Sequence, residues 1–356
     1  MNWLVVNHSN DMHGAERVCL ETVAALCNAG HRVTVVVPCQ GEKRLFEAAL
    51  PSDVCVLRLP YKAAGVSGAR CKMVDLYNLP ALWRLKRYCR RQHIERIYAS
   101  TYIVDIASAL ARSLRLPLYW HLHEEPTPEF DWSPSMAERY RKVFSSAHLI
   151  WLSERQRTLW QEALSIPLNG PVLLNPIRRI DIAPIPHDGL HIGYLGKLEE
   201  RKNLPMLLRV FARFKEQNPT SRLTLCGASC AAELRAYAAP GVEVRMHTDD
   251  VASFYAEIDI LVLPSRRETM PLVVGEAMQA GVAVLQTTES GMRERLTDGY
   301  DTLFISPDDE DAWYEALCQL SDADYRAGMQ AAACETISGL LAEHDYHKEI
   351  LTAICE

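Results

Sequence analysis

Two α/β domains in succession, each a doubly wound parallel sheet, are predicted by three features of this sequence. The chain has 356 residues, more than twice the usual size of one domain. Short Val-, Ile- and Leu-rich runs alternate with stretches of helical period along its length, the order that builds a parallel sheet covered on both faces. The alternation breaks once, over residues 175–189, where Pro176, Pro184, Pro186 and Gly189 leave no room for a regular element. The expected domains are therefore 1–180 and 181–340, with a last helix over about 340–356 that could pack back onto the first.

Residues 3–7 read as the first strand and 15–29 as the first helix, with Cys19, Val23 and Leu26 on its apolar seam and Gly30 at its C-terminal end. The continuous Val-rich run 32–37 is of the kind buried in parallel sheets. Further strands are expected at 54–59, 94–100, 118–123, 149–152 and 172–175. After the break, 190–195 reads as a strand, and Leu204, Leu207, Leu208, Phe211 and Phe214 mark one face of a helix. Strands follow at 222–226, 242–246, 259–263 and 282–286, and the tail from about 324 to 356 is helical.

Composition narrows the classes open to the protein. Nearly half the residues are apolar, yet no run approaches the roughly 18–20 residues of a membrane span, and residues 2–6 are too short for a leader's apolar region. The expectation is a cytoplasmic protein. Eleven scattered cysteines without a C-x-x-C fit small core residues rather than disulfides or zinc. The net charge of −7 is lopsided: residues 1–180 hold 23 Lys and Arg against 16 Asp and Glu, whereas 181–356 hold 15 against 29. Such asymmetry points to different partners for the two halves.

Four constellations fall just after expected strands, where ligands of doubly wound sheets bind. The first is His13-Gly14-Ala15-Glu16-Arg17, where Gly14 at a helix start lets backbone approach a bound group and free N–H groups favour phosphate. It is not G-x-G-x-x-G, so the dinucleotide fingerprint is absent. The second is Trp120-His121-Leu122-His123-Glu124-Glu125, in which alternation puts both histidines on one side. A metal site, a substrate-bonding histidine and a structural histidine all remain open there, although no further metal ligands are evident. The third, Gly193-Tyr194-Leu195-Gly196-Lys197-Leu198-Glu199-Glu200-Arg201-Lys202-Asn203, carries two lysines on a solvent-facing loop that could neutralise a diphosphate; the alternative is a solvated charge run. The fourth and most specific runs from Pro264 to Met278 and holds Glu268 and Glu276 with seven residues between them. Pro271 suits the first turn of a helix, leaving the N–H groups of Leu272 and Val273 to face a ligand.

Together these motifs resemble the retaining glycosyltransferases of family 4, which have the GT-B fold: two facing Rossmann-like domains with the active site in the cleft. The resemblance covers essentially the whole chain, from Gly14-Ala15-Glu16-Arg17-Val18 to residues 291–294, and rests most on the E-x7-E pair with Glu276-Ala277-Met278 joined to Gly196-Lys197-Leu198 and Lys202-Asn203. It implies that Glu276 binds the ribose of a nucleoside-diphosphate-sugar donor and Glu268 the hydroxyls of the transferred sugar. The backbone of Met270, Pro271, Leu272 and Val273 would contact sugar and phosphate. Lys197 and Lys202 would hold the pyrophosphate, with Gly14 and Gly196 close to the donor and His123 beside the sugar. No cofactor and no metal are implied, since the nucleotide sugar is itself a substrate. The chain departs from the family pattern where His13 replaces the first glycine of a Gly-Gly pair, where Ala283 replaces a frequent Pro, and at Ser290-Gly291-Met292. Asp322-Ala323-Asp324 falls in the helical tail and reads as solvated surface.

Between Lys62 and Arg96 stand nine basic residues (Lys62, Arg70, Lys72, Arg84, Lys86, Arg87, Arg90, Arg91, Arg96) against Asp75 and Glu95. Leu79, Leu82, Trp83, Leu85 and Tyr88 interleave with them. Such a segment suits an anionic membrane surface, and the family often uses lipid-linked acceptors; the alternative is a solvated helix whose apolar residues face the core. The expected partners are a nucleotide-sugar donor, a glycan or lipid-linked glycan acceptor in cell-surface polysaccharide or lipopolysaccharide synthesis, and an anionic membrane, but not nucleic acid. A sugar-nucleotide epimerase or hydrolase of the same fold, and a binding protein without catalysis, are the competing readings.

Overall fold

A computed structural model describes residues 1–39, 44–63, 68–126 and 134–355; the side chain of Arg70 lies outside the described residues. The chain divides into two compact units, Met1–Pro176 with Asp345–Glu356, and Ile177–His344. The first contains β1 (Asn2–Val6), α1 (Gly14–Asn28), β2 (Arg32–Pro38), α2 (Leu45–Ala48), β3 (Cys55–Leu59), α3 (Gly68–Arg91), β4 (Arg96–Ser100), α4 (Asp105–Leu114), β5 (Leu118–His121), α5 (Pro134–Phe144), β6 (His148–Ile150) and α6 (Glu154–Leu164). The second contains β7 (His191–Leu195), α7 (Leu204–Gln217), β8 (Arg222–Ala228), α8 (Ala231–Ala236), β9 (Val242–Met246), α9 (Val251–Glu257), β10 (Ile260–Leu263), α10 (Leu272–Gln279), β11 (Ala283–Thr287), β12 (Leu303–Ile305), α11 (Glu310–Ser321) and α12 (Ala323–Glu343). The last helix, α13 (Tyr346–Cys355), belongs to the first unit, where it packs on α1.

Each unit carries one six-stranded sheet, in the orders β3-β2-β1-β4-β5-β6 and β12-β11-β10-β7-β8-β9, with every strand pair parallel. The order in which successive strands are laid down reverses between β1 and β4 in one unit and between β7 and β10 in the other. In open sheets of this kind the crevice at that reversal, at the C-terminal strand ends, is where ligands bind. The strands have the near-continuous apolar character of sheets buried on both faces: Trp3, Leu4, Val5 and Val6 are fully buried, as are Ile260, Leu261 and Val262. An aromatic cluster closes the first unit behind β5, with the Phe144 and Trp160 rings 5.1 Å apart and those of Tyr102 and Trp160 5.4 Å apart.

Some local expectations change. Residues 172–175 form no strand; Val172 makes a single parallel bridge to Trp151, in which the Trp151 N–H donates to the Pro171 carbonyl at 2.9 Å and the Leu173 N–H to the Trp151 carbonyl at 2.8 Å. The strand β12, three residues long, has too short a pattern to read from sequence. Helix α12 stops at Glu343 and α13 begins at Tyr346, so the helical tail is made of two helices. Pro271 precedes α10 instead of lying in its first turn: with ψ at 117° it is extended, and the helix begins at Leu272. Asp322 caps α12 by accepting the Tyr325 N–H at 2.8 Å.

Candidate active site

In the second unit the loops after β7, β10 and β11 are tied together by backbone hydrogen bonds. The Gly196 N–H donates to the Cys226 carbonyl at 3.0 Å, and a Cβ on Gly227, whose φ is +144°, would lie 1.9 Å from the Gly196 oxygen. Only glycine allows β8 to pass so near the start of the β7 loop. The Tyr194 hydroxyl then donates to the Lys197 carbonyl at 2.8 Å, and a 3-10 turn over Glu200–Lys202 leads to Asn203, whose side-chain amide donates to the Pro307 carbonyl at 2.7 Å. Across the reversal from β7 to β10, the Arg266 N–H donates to the Arg201 carbonyl at 2.9 Å and the Arg201 guanidinium to the Arg267 carbonyl at 3.3 Å. Glu268 is gripped through its backbone by the β11 loop: its N–H donates to Glu289 at 2.8 Å, and its carbonyl accepts from Gly291 at 3.0 Å.

This brings two of the candidate residues into contact. The Lys202 ammonium donates to Glu268 Oε1 at 2.5 Å, and both residues are buried. Burial pushes the Glu268 carboxyl up, but Lys202 and Arg201 beside it more than reverse that and hold it below its usual range. Glu268 is therefore a fixed, ionised acceptor. Lys202 is not on a solvent-facing loop as expected, because the 3-10 turn folds its side chain inward; Lys197 is exposed.

Glu276 lies a turn and a half into α10 and is buried. One oxygen accepts from Arg178 Nε at 3.1 Å, the other from the Tyr255 hydroxyl at 3.0 Å. Met270 is buried, whereas Pro271, Leu272 and Val273 are partly exposed at the start of α10, where the first N–H groups of a helix have no partner within it. Neither Arg178 nor Tyr255 stood out in sequence: one lies in the Pro-rich break, and the other follows Phe254 in an ordinary helical pattern. Arg201 carries a signal in the sequence, its place beside Lys202 in the charge run.

In the first unit Gly14 opens α1 and is exposed. The buried Glu16 accepts the His13 N–H at 3.1 Å and lies 3.1 Å from His8 Nε2, so a carboxylate of the protein already occupies part of this helix start. Beyond the end of β5, the rings of His121 and His123 lie 4.4 Å apart and Leu122 is fully buried on the other side. The His123 segment is clamped from α6. The Gln156 side-chain amide donates to the Leu122 and Glu124 carbonyls at 2.8 and 3.0 Å, and the Trp160 indole donates to Glu124 at 2.9 Å. Burial, reinforced by His121 and His8, pulls His123 well below its usual titration range, so it is neutral. The Nε2 atoms of His121 and His123 are buried with no hydrogen-bond partner among the described residues. Among those residues no three His, Cys, Asp or Glu side chains group as a metal site.

Comparison with known proteins supplies the family. Residues 12–172 match the family described as Glycosyltransferase Family 4, and residues 189–323 match Glycosyl transferases group 1. The phosphatidyl-myo-inositol mannosyltransferase of Mycolicibacterium smegmatis is 24% identical over 355 residues, covering 96% of this chain and 88% of that protein. The D-inositol 3-phosphate glycosyltransferase of Corynebacterium urealyticum is 30% identical over 161 residues, 41% of this chain, and the match spans only 38% of that relative's length. Among solved structures, Anabaena HepE in complex with UDP and glucose superposes with a TM-score of 0.78 at 17% identity, covering 99% of this chain and 100% of that one. WaaG, a glycosyltransferase involved in lipopolysaccharide biosynthesis, superposes with a TM-score of 0.74 at 15% identity, covering 99% of each chain. With both sheets of the GT-B fold present and the two family matches together taking in most of its length, the chain belongs to the family 4, group 1 glycosyltransferases.

Proposed function

We propose that this protein is a retaining glycosyltransferase that moves a sugar from a nucleoside-diphosphate sugar to a lipid-linked glycan in the synthesis of a cell-surface polysaccharide or lipopolysaccharide. The observation that carries the reading is the Lys202–Glu268 pair at the reversal between β7 and β10, with Glu276 buried one helix turn beyond the first N–H groups of α10. A cation and free amides suit a leaving diphosphate, while two fixed carboxylates suit sugar and ribose hydroxyls. The solved HepE complex, with UDP and glucose, supports a donor of this class.

In this reading the bond from the anomeric carbon to the diphosphate oxygen breaks on the face where the acceptor oxygen's new bond forms. The acceptor proton passes to a phosphate oxygen of the departing nucleotide. Lys197, Lys202 and the amides of Leu272 and Val273 stabilise the charge that develops there without a metal ion. Glu268, held ionised by Lys202 and Arg201, orients hydroxyls of the sugar. Gly196 allows backbone to approach the donor, and Met270 and Pro271 shape the wall beside it.

Helix α3 supports a membrane-borne acceptor. The structure sorts its apolar residues: Ala81, Leu85 and Cys89 are buried and Leu82 and Tyr88 pack partly against the core, but Met73, Leu76, Leu79 and Trp83 are 72%, 70%, 53% and 61% exposed. The outward apolar row lies among exposed Lys72, Arg84, Arg87, Arg90 and Arg91. The core-facing alternative thus accounts for Leu82, Leu85 and Tyr88 but not for Leu79 and Trp83.

The test is turnover of labelled nucleotide sugars, with and without lipid-linked acceptor and with EDTA, after thermal-shift screening against UDP, GDP, ADP and CDP. Transfer that needs acceptor and survives EDTA is expected. Hydrolysis or epimerisation without acceptor, or nucleotide binding without turnover, overturns the reading in favour of the two alternatives.

A further inference from the structure

At the edge of the first sheet opposite His123, a cavity of about 360 Å³ lies where α3 and α4 end and β4 and β5 begin. Its floor is apolar: Cys89 and Ile94, both buried, line it together with Leu116. Its rim carries Arg90, His93 and Arg115, all exposed, and among the described residues no carboxylate lines it. Glu95, next in sequence to Ile94, is engaged elsewhere, accepting the Asn2 N–H at 2.7 Å.

Two guanidinium groups over an apolar floor suit a phosphate diester, whose anionic oxygens take the cations while its ester carbons take the apolar cover. Arginines at the end of a helix often serve its own last carbonyls instead. Here neither the Arg90 nor the Arg115 side chain has a hydrogen-bond or ion-pair partner among the described residues, so both are open to a ligand. Position along α3 says which diester. Met73, Leu76, Trp83, Arg87 and Arg90 follow one another three, seven, four and three residues apart, spacings that keep to one side of a helix. The cavity therefore opens at the end of the outward apolar row. Because α3 joins two parallel strands, it runs back along the sheet, from the edge where ligands bind to the edge where the cavity lies.

We propose that this cavity seats the phosphate of an anionic lipid headgroup, and so anchors the far end of α3 on a membrane. Arg90 and Arg115 hold the phosphate oxygens, and the glycerol lies against Cys89, Ile94 and Leu116. The seat is at the other end of the strands from His123, so it fixes how the first unit lies on the surface and takes no part in transfer. The inference rests on the reading of α3 as a membrane-facing helix; the phosphate chemistry is read from the cavity's own lining.

Calorimetry with the full chain and dihexanoylphosphatidylglycerol, kept below its micellar concentration, examines the seat without a membrane surface. Saturable binding is expected in the wild type. Arg90→Ser and Arg115→Gly should each weaken it about tenfold, the loss of one charge-assisted contact. Glycine keeps the left-handed backbone of Arg115, whose φ is +56°. Arg112→Ser, which removes an exposed charge from the last turn of α4 outside the lining, should change it by no more than about twofold, as a distant screened charge does. Sedimentation with phosphatidylglycerol vesicles at low salt is run beside it. Wild type that sediments but shows no saturable binding of the short-chain lipid overturns the proposal alone. An Arg112→Ser loss equal to that of Arg90→Ser does the same, since it marks diffuse charge. Glycerol 3-phosphate that binds as tightly as the lipid overturns the lipid source in favour of a free phosphate. Wild type that stays in the supernatant overturns the membrane reading and the proposal with it. Should Arg115→Gly loosen α4, Arg90→Ser, on α3, must still show its loss.

Discussion

Lys197 and Lys202 are five residues apart on one loop, and their surroundings give them different consequences when removed. Lys197 is exposed, so Lys197→Ala should leave the thermal midpoint within about a degree of the wild type. Transfer should fall about a hundredfold, the cost of one preorganised group on developing charge. Lys202→Ala leaves the Glu268 carboxylate buried without its ammonium, a loss that typically costs ~3–5 kcal/mol. A midpoint several degrees lower is expected, together with lost transfer. Near-normal turnover in Lys197→Ala would remove that residue from the diphosphate site, and an unmoved midpoint in Lys202→Ala would mean the pair contributes nothing to folding. The two glutamates divide in another way. Glu276→Gln should weaken nucleoside-diphosphate binding about tenfold, because it lowers the charge available to ribose hydroxyls while keeping the Tyr255 contact. Glu268→Gln should leave that affinity within about threefold and depress transfer instead. Calorimetry with the bare nucleotide checks this, and equal losses contradict the split.

The segment after β5 shows how burial acts on a carboxyl. Glu124 follows His123, and its carboxyl accepts the Tyr102 N–H at 3.4 Å. Burial pushes it up to about 7, with Glu16 adding to the rise and backbone N–H groups opposing it. A carboxyl whose titration is raised on folding favours the folded state when protonated. That contribution is full below about pH 4.5 and is lost as pH rises through about 7. Glu124→Gln should therefore match the wild type near pH 4.5 and melt higher at pH 8, by roughly 2–4 °C for each kcal/mol regained. A midpoint difference that does not grow with pH refutes this environment for Glu124. None of it was legible in the sequence, which gave the alternation of His121 and His123 but not what covers them. Strand and helix order could be read because buried parallel strands and amphipathic helices each impose a period. The clamp from Gln156 and Trp160 on α6 carries no such period, because its contacts join residues more than thirty positions apart. Arg178 was hidden for a related reason: it lies in a segment whose prolines mark a break and say nothing of Glu276, 98 residues further on.

At the scale of the whole molecule, charge and exposed apolar surface coincide on one helix. The basic excess belongs to residues 1–180 and the acidic excess to the rest, and α3 supplies much of the former. Its inner row is fixed by core contacts and by Asn78, whose side-chain amide exchanges two hydrogen bonds of 2.9 Å with the Lys62 backbone. Arg139 of α5 adds a bidentate grip on Asp75, at 2.7 and 2.8 Å. The helix is thereby held with Met73, Leu76, Leu79 and Trp83 outward, and the Arg87 guanidinium lies 5.8 Å from the Trp83 ring centre. An apolar row of this size costs free energy in water unless something covers it, and its basic flanks favour an anionic lipid surface. Among the described residues no helix is long and apolar enough to cross a membrane. Each basic residue at such a surface contributes about 1 kcal/mol. Replacing Arg84, Arg87, Arg90 and Arg91 with Ser should then weaken binding to anionic vesicles by roughly two to three orders of magnitude. Leu76→Ser with Trp83→Ser should weaken it too, but with the salt dependence retained, because the apolar share of the binding does not depend on screening. Co-sedimentation at low and high salt distinguishes the two contributions. Wild-type protein that stays in the supernatant at low salt, or arginine variants that sediment as the wild type does, would leave the outward row of α3 to some partner other than a membrane.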